Sequence, residues 1–209
     1  MPSVLTWMLL GLAAGWFLAH LAAKSVDVPL TKPNRVALAI SASVLMGHCA
    51  TITPTPAAIA LMALAAITPA LIFTDLETHR LPNAFTYPLV AWGLACSAIQ
   101  GLLHSPNYSA VAMLACGLGA GGFFLLLNLV TRGGMGMGDV KLALAIGLTL
   151  GSQAPRLVVI SLALAFVLGA AASLFAIAAK KLHLKSSLPF GPFMLAGVWL
   201  AISIWGTAS

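Results

Sequence analysis

Phe73-Thr74-Asp75-Leu76-Glu77-Thr78-His79-Arg80-Leu81-Pro82-Asn83 follows a long apolar run that begins near residue 57. Asp75 is one of only four acidic residues in a chain of 209; the others are Asp27, Glu77 and Asp139. Asp139 closes a second informative stretch, Gly133-Gly134-Met135-Gly136-Met137-Gly138-Asp139, at the border of another apolar run. An acid at membrane depth is costly, so it marks function by default. Two such acids suggest a pair, and a pair of aspartates suggests proteolysis.

The composition sets the class. The chain is 61% hydrophobic and 7% charged, outside the range of soluble domains. Several apolar runs approach the roughly 20 residues a helix needs to cross a bilayer core of about 30 Å. The expectation is an all-α, polytopic integral membrane protein, a single domain over residues 1–209, with about eight transmembrane helices. The run at residues 4–22 lacks a basic n-region and is long for a signal-peptide core, so it reads as a retained first helix. The net charge of +6 reads as loop charge that sets topology rather than as a nucleic-acid surface. Cys49, Cys96 and Cys116 are scattered in apolar segments with no CxxC pair, which excludes a zinc ribbon and reads as buried packing. No metal and no cofactor is expected.

Spans are expected near residues 4–23, 36–52, 57–74, 84–103, 110–130, 140–152, 156–179 and 188–206. The connections 24–35, 75–83, 131–139 and 180–187 then share one side. With the adjoining Lys141, that side holds Lys24, Lys32, Arg35, Arg80, Arg132, Lys141, Lys180, Lys181 and Lys185, against Arg156 alone on the other. This asymmetry makes the basic side cytoplasmic. The loop with Lys180, Lys181, His183 and Lys185 reads as facing anionic lipid. The sixth span is short, about 18 Å at 1.5 Å per residue; either it starts inside the glycine run or the bilayer thins there. Gly11 and Gly15, Gly117 and Gly121, and Gly147 and Gly151 have the spacing that lets helices approach closely. Pro69 is expected to kink the third helix just before Asp75.

On this topology Asp75 ends span three and Asp139 begins span six, at equal depth on the cytoplasmic boundary. Two close carboxylates in a low-dielectric place do not easily both ionise. One can deprotonate a water while the other, protonated, polarises the scissile carbonyl. The pair titrates as a unit, so neither residue takes a fixed role. The glycines leave a backbone strip that an extended peptide could approach. They match no GxxxxGK[ST] phosphate loop, but a glycine-broken helix is also how transporters build ion sites. His79, Arg80, Arg132 and Lys141 are secondary candidates, as modulators of a carboxylate or as substrate contacts. Their ordinary reading is as solvated or topological charges. Glu77 and Asp27 read as solvated loop acids.

At these residues the chain resembles the type IV prepilin peptidases, the bacterial GxGD membrane aspartyl proteases. Asp75 followed by Leu81-Pro82-Asn83 resembles the family's first motif. Gly136-Met137-Gly138-Asp139-Val140-Lys141-Leu142 resembles the second, and Leu188-Pro189-Phe190-Gly191-Pro192-Phe193 the stretch that opens the last helix. The resemblance runs from about residue 57 onward. It implies Asp75 and Asp139 as catalytic residues, with Gly136, Gly138, Lys141, Pro82, Asn83, Pro189 and Gly191 as motif or substrate-adjacent positions. It implies a prepilin or pseudopilin substrate, cut before its apolar helix on the cytoplasmic side of a bacterial inner membrane. Many members carry an insert with two CxxC pairs after the first helix, linked to methylation of the new pilin terminus. Here Lys24–Arg35 contains no cysteine, so a peptidase without methyltransferase activity is expected. Two competing readings are a presenilin-like protease, whose YD motif Phe73-Thr74-Asp75 does not match, and a proton-coupled transporter, whose acids would lie nearer the midplane.

Overall fold

The computed structural model describes residues 3–25, 30–52, 55–102, 110–132, 134–179 and 188–206. Among these, all regular structure is helical: α1 (Val4–Ser25), α2 (Lys32–Ile52), α3 (Thr55–Thr78), α4 (Asn83–Leu102), α5 (Ala110–Val130), α6 (Met137–Gly151), α7 (Pro155–Ala178) and α8 (Gly191–Trp205). Five of them, α1, α2, α3, α5 and α7, are long and apolar enough to cross a membrane, and α8 is a shorter apolar helix. The protein is an all-α, multi-pass membrane protein. Lys180, Lys181, His183, Lys185, Asp27, Pro54, His104, Pro106 and Asn107 lie outside the described residues.

The packing shows why so apolar a chain suits lipid. On α1 the buried residues are Gly11, Gly15, Ala19 and Ala22, one small-residue stripe at helical spacing. Its large side chains, Leu5, Leu9, Trp16 and Phe17, point outward. Lipid tails are as apolar as leucine, so close backbone packing rather than the hydrophobic effect must join such helices. A Cβ at Gly11 would come 2.6 Å from the Ser43 Cα, and one at Gly15 would come 2.7 Å from the Ala39 Cα. Ser43 also donates its hydroxyl to the Met8 carbonyl at 2.8 Å. The glycines of α5 and α6 work the same way. A Cβ at Gly147 would collide with the Cys116 carbonyl, and one at Gly151 would lie 2.9 Å from the Met113 Cα.

These contacts also fix direction. Between α1 and α2, and between α5 and α6, residue numbers fall on one helix as they rise on the other, so both pairs are antiparallel. In α3 and α8, Asp75 meets Gly191 and Thr68 meets Trp199, whose indole N–H donates to Thr68 Oγ1 at 3.2 Å; this pair is antiparallel too. In α4 and α6, Asn83 meets Lys141 and Gly93 meets Leu148; this pair is parallel. In α7 and α8, Gly169 meets Phe190 and Gly197 meets Ser161, so this pair is antiparallel as well. The C-terminus of α3 and the N-termini of α4, α6 and α8 therefore gather at one end.

Several boundaries differ from the expected spans, among them the start of α2, at Lys32 rather than near residue 36. Helix α3 runs past Asp75 to Thr78, and α6 starts at Met137, inside the glycine run and before Asp139, as one of the two alternatives for the short sixth span had it. Both aspartates thus sit on helices rather than in connections. Helix α8 begins at Gly191 rather than 188, with Pro192 in its first turn, where a missing N–H costs nothing. Helix α3 continues through Pro69. No disulfide joins the three cysteines; Cys49 and Cys96 are buried and Cys116 is half-buried.

Candidate active site

Asp75 lies in the last turn of α3 and is only 4% exposed. That turn ends because His79 takes the left-handed conformation, φ 54°, while its amide still donates to the Asp75 carbonyl at 2.9 Å. Thr78 folds its hydroxyl back onto the Thr74 carbonyl at 2.8 Å. The chain then turns through Arg80 and Leu81 into α4. The Pro82 carbonyl accepts the amides of Phe85 and Thr86 at 3.0 and 3.2 Å, which closes the first turn of that helix.

The Asp75 carboxylate is met by the start of α8. The Gly191 amide donates to Asp75 Oδ2 at 2.9 Å across 116 positions of sequence. The N-terminus of a helix carries unpaired N–H groups and the positive end of its dipole, so it suits a carboxylate. Glycine is required there for space: a Cβ at Gly191 would lie 2.7 Å from Asp75 Oδ2.

Asp139 stands in the first turn of α6, half-buried. Its amide donates to the Gly136 carbonyl at 3.1 Å, and a Cβ at Gly136 would approach its Oδ2 to 3.4 Å. Gly138 allows a second close approach, since a Cβ there would lie 2.8 Å from the Leu81 Cβ. Asp75 and Asp139 line one cavity of about 250 Å³, together with His79, Arg80, Leu81, Gly136, Met137 and Gly138. Two carboxylates facing one small, partly dry space form an arrangement able to hold a water between an acid and a base.

The remaining sequence candidates divide. His79 and Arg80 line the cavity. His79 does so from just beyond the end of α3. Lys141 is engaged elsewhere: its ammonium donates to Asn83 Oδ1 at 2.7 Å and lies 4.4 Å from the centre of the Tyr87 ring. Pro189 is half-buried ahead of the α8 N-cap residue Phe190. Arg132, with φ 51°, is exposed at the end of α5 and does not line the cavity. Glu77 is exposed on the last turn of α3.

Three contributors were not singled out as site residues in the sequence, although Leu81 and Phe190 lie within its motifs. Leu81 fills the space left by Gly138 and also lies near Gly191, where a Cβ would meet its Cδ2 at 3.3 Å. Tyr87, one helical turn after Asn83, supplies the ring under Lys141. Phe190 packs against Phe166 and Phe124, with ring centres 5.2 and 6.0 Å apart, and so seats the start of α8 against α7 and α5.

Fold and site together define a polytopic all-α membrane protein with an aspartate pair at one end of its helix bundle. A model of the type IV leader peptidase family matches residues 59–174, and the chain belongs to that family. It is similar to a prepilin leader peptidase/N-methyltransferase of Burkholderia pseudomallei, 36% identical over 172 residues, covering 81% of this chain and 52% of the relative. A protein of the same name in Aeromonas salmonicida is 31% identical over 157 residues, 75% of this chain and 52% of that one. Another, in Neisseria gonorrhoeae, is 33% identical over 144 residues, 65% and 46% respectively. The chain spans about half the length of these curated relatives. No solved structure matches it.

Proposed function

We propose that this protein is a membrane aspartic endopeptidase that removes the leader peptide from prepilins or pseudopilins at the cytoplasmic face of a bacterial inner membrane. The observation that carries the reading is the placement of Asp75 and Asp139 on one cavity of about 250 Å³, reached from two helices that point in opposite directions. The family membership and the names of the relatives support the substrate class. An eight-crossing topology with the pair on the cytoplasmic side is part of this proposal, and the antiparallel packing of neighbouring helices and the basic asymmetry of the connections support it.

The chemistry follows from the pair. One carboxylate, ionised, takes a proton from a water held between the two. The resulting hydroxide adds to the carbonyl carbon before the apolar segment. The other, protonated, carboxyl gives its proton to the carbonyl oxygen. Collapse of the tetrahedral diol passes a proton to the leaving nitrogen and breaks the C–N bond. The Gly191 amide holds Asp75 in one rotamer through these steps, and Arg80 supplies positive charge at the cavity wall. Gly136, where a Cβ would meet nothing closer than Asp139 Oδ2 at 3.4 Å, leaves room for extended backbone beside the pair.

The test is cleavage of a purified prepilin by the purified full chain in detergent, read by mass spectrometry. A product shortened at the leader junction is expected from the wild type. None is expected from Asp75→Asn or Asp139→Asn, each folded with an unchanged melting temperature. Glu77→Gln should be mild. Near-normal turnover by either Asn variant would sink the proposal.

A further inference from the structure

Lys141 follows Asp139 by two residues but does not line the cavity. Its ammonium binds the opening turns of α4, through Asn83 Oδ1 at 2.7 Å and the face of Tyr87 at 4.4 Å. We propose that Lys141 is a positioning residue: it latches the start of α6 to the start of α4 and so fixes Asp139 relative to Asp75. This rests on the reading of those aspartates as the catalytic pair.

The latch closes a ring of contacts. Asn83 is two residues from Leu81. Leu81 fills the spaces opened by Gly138, next to Asp139, and by Gly191, whose amide holds Asp75. Movement of the α3–α4 connection therefore reaches both carboxylates. Without Lys141 that connection is joined to α6 by the packing of Leu81 on Gly138. A lysine suits the task. Its four-carbon stem spans from α6 to α4, its charge strengthens the bond to the amide oxygen, and the same charge is attracted to the tyrosine face. Asn83 is exposed, and Tyr87 is 55% exposed, so these contacts add little to stability in high dielectric. Their effect is on geometry, where a displacement of about 1 Å can cost ~100-fold in rate.

The test uses the full chain with a prepilin substrate and four variants: Lys141→Met, Asn83→Leu, both together, and Lys141→Arg. Each single loss is expected to lower kcat by about 10- to 100-fold with KM unchanged within about twofold. The double variant should be no worse than the poorer single, because both remove one interaction. Lys141→Arg should recover most of the rate, since guanidinium can serve both partners. Melting temperatures should stay near wild type. Amide hydrogen exchange over residues 79–90 should quicken equally in Lys141→Met and Asn83→Leu. Additive rate losses, a rise in KM with kcat intact, or unchanged exchange in both variants would each overturn the latch. Retained turnover in Asp75→Asn would instead overturn the catalytic-pair reading, and the exchange result does not depend on it.

Discussion

At the scale of single residues, the site depends on glycines that are absent side chains rather than flexible hinges. Gly191 shows this most directly, because its missing Cβ is what lets an amide reach Asp75 Oδ2 at 2.9 Å. An added methyl would lie 2.7 Å from that oxygen and 3.3 Å from both the Asp75 Cγ and the Leu81 Cδ2. Neither neighbour is the free end of a surface chain, so the carboxylate or the α8 start must move. Gly191→Ala is expected to destabilise the protein by about 1–3 kcal/mol and to lower cleavage by at least ~10-fold. Gly122→Ala is the matched control, since nothing lies within 4 Å of a Cβ there. It should leave turnover unchanged and, given the better helix propensity of alanine, stability equal or slightly higher. Equal activity in the two variants would show that Gly191 is dispensable as a cradle.

At the scale of elements, helix α6 carries Asp139 and is held mainly by backbone proximity to α5. Gly147 sits against the Cys116 carbonyl and Gly117 Cα, and Gly151 against Met113. Gly147→Leu should force the two helices apart, with a loss of about 1–3 kcal/mol and weaker cleavage, both read on the purified variant. A melting temperature equal to wild type would contradict this packing account. All eight helices were legible in the sequence, because apolar runs alternate with basic, proline and glycine breaks. So were the two aspartates and their glycines, because ionised acids are rare in such runs. The ends of α3 and α6 were less legible. Hydropathy places a boundary where charge begins, whereas the helix itself stops where a residue such as His79 takes a positive φ. The Gly191–Asp75 bond and the Lys141–Asn83 bond were not legible as contacts, since they join positions 116 and 58 residues apart. Only the three-dimensional crossing of α8 over α3, and of α6 beside α4, brings them together.

At the scale of the whole molecule, helix direction and charge distribution make one topological statement. With native cysteines replaced, Val28→Cys and Leu184→Cys should react with an impermeant thiol reagent only from the cytoplasmic side. Asn107→Cys and Ala154→Cys should react only from outside. Reaction of position 184 from outside would break the eight-crossing arrangement, because the connection between α7 and α8 would then lie on the wrong side. The same arrangement bears on methylation, an activity in the names of the relatives. Across the junction of α1 and α2 the stretch Lys24–Arg35 has two prolines and no cysteine. A structural zinc needs about four ligands in a folded frame, which this stretch does not provide. Cleavage without S-adenosylmethionine-dependent methylation is therefore expected. Prepilin processed by the purified chain with the methyl donor present should yield a product whose mass corresponds to cleavage alone. A product heavier by one methyl group at its new N-terminus, absent with Asp139→Asn or without donor, would show that methylation needs no such frame. The donor would then have to bind among the helices, close enough to the aspartate cavity to reach the newly freed amine.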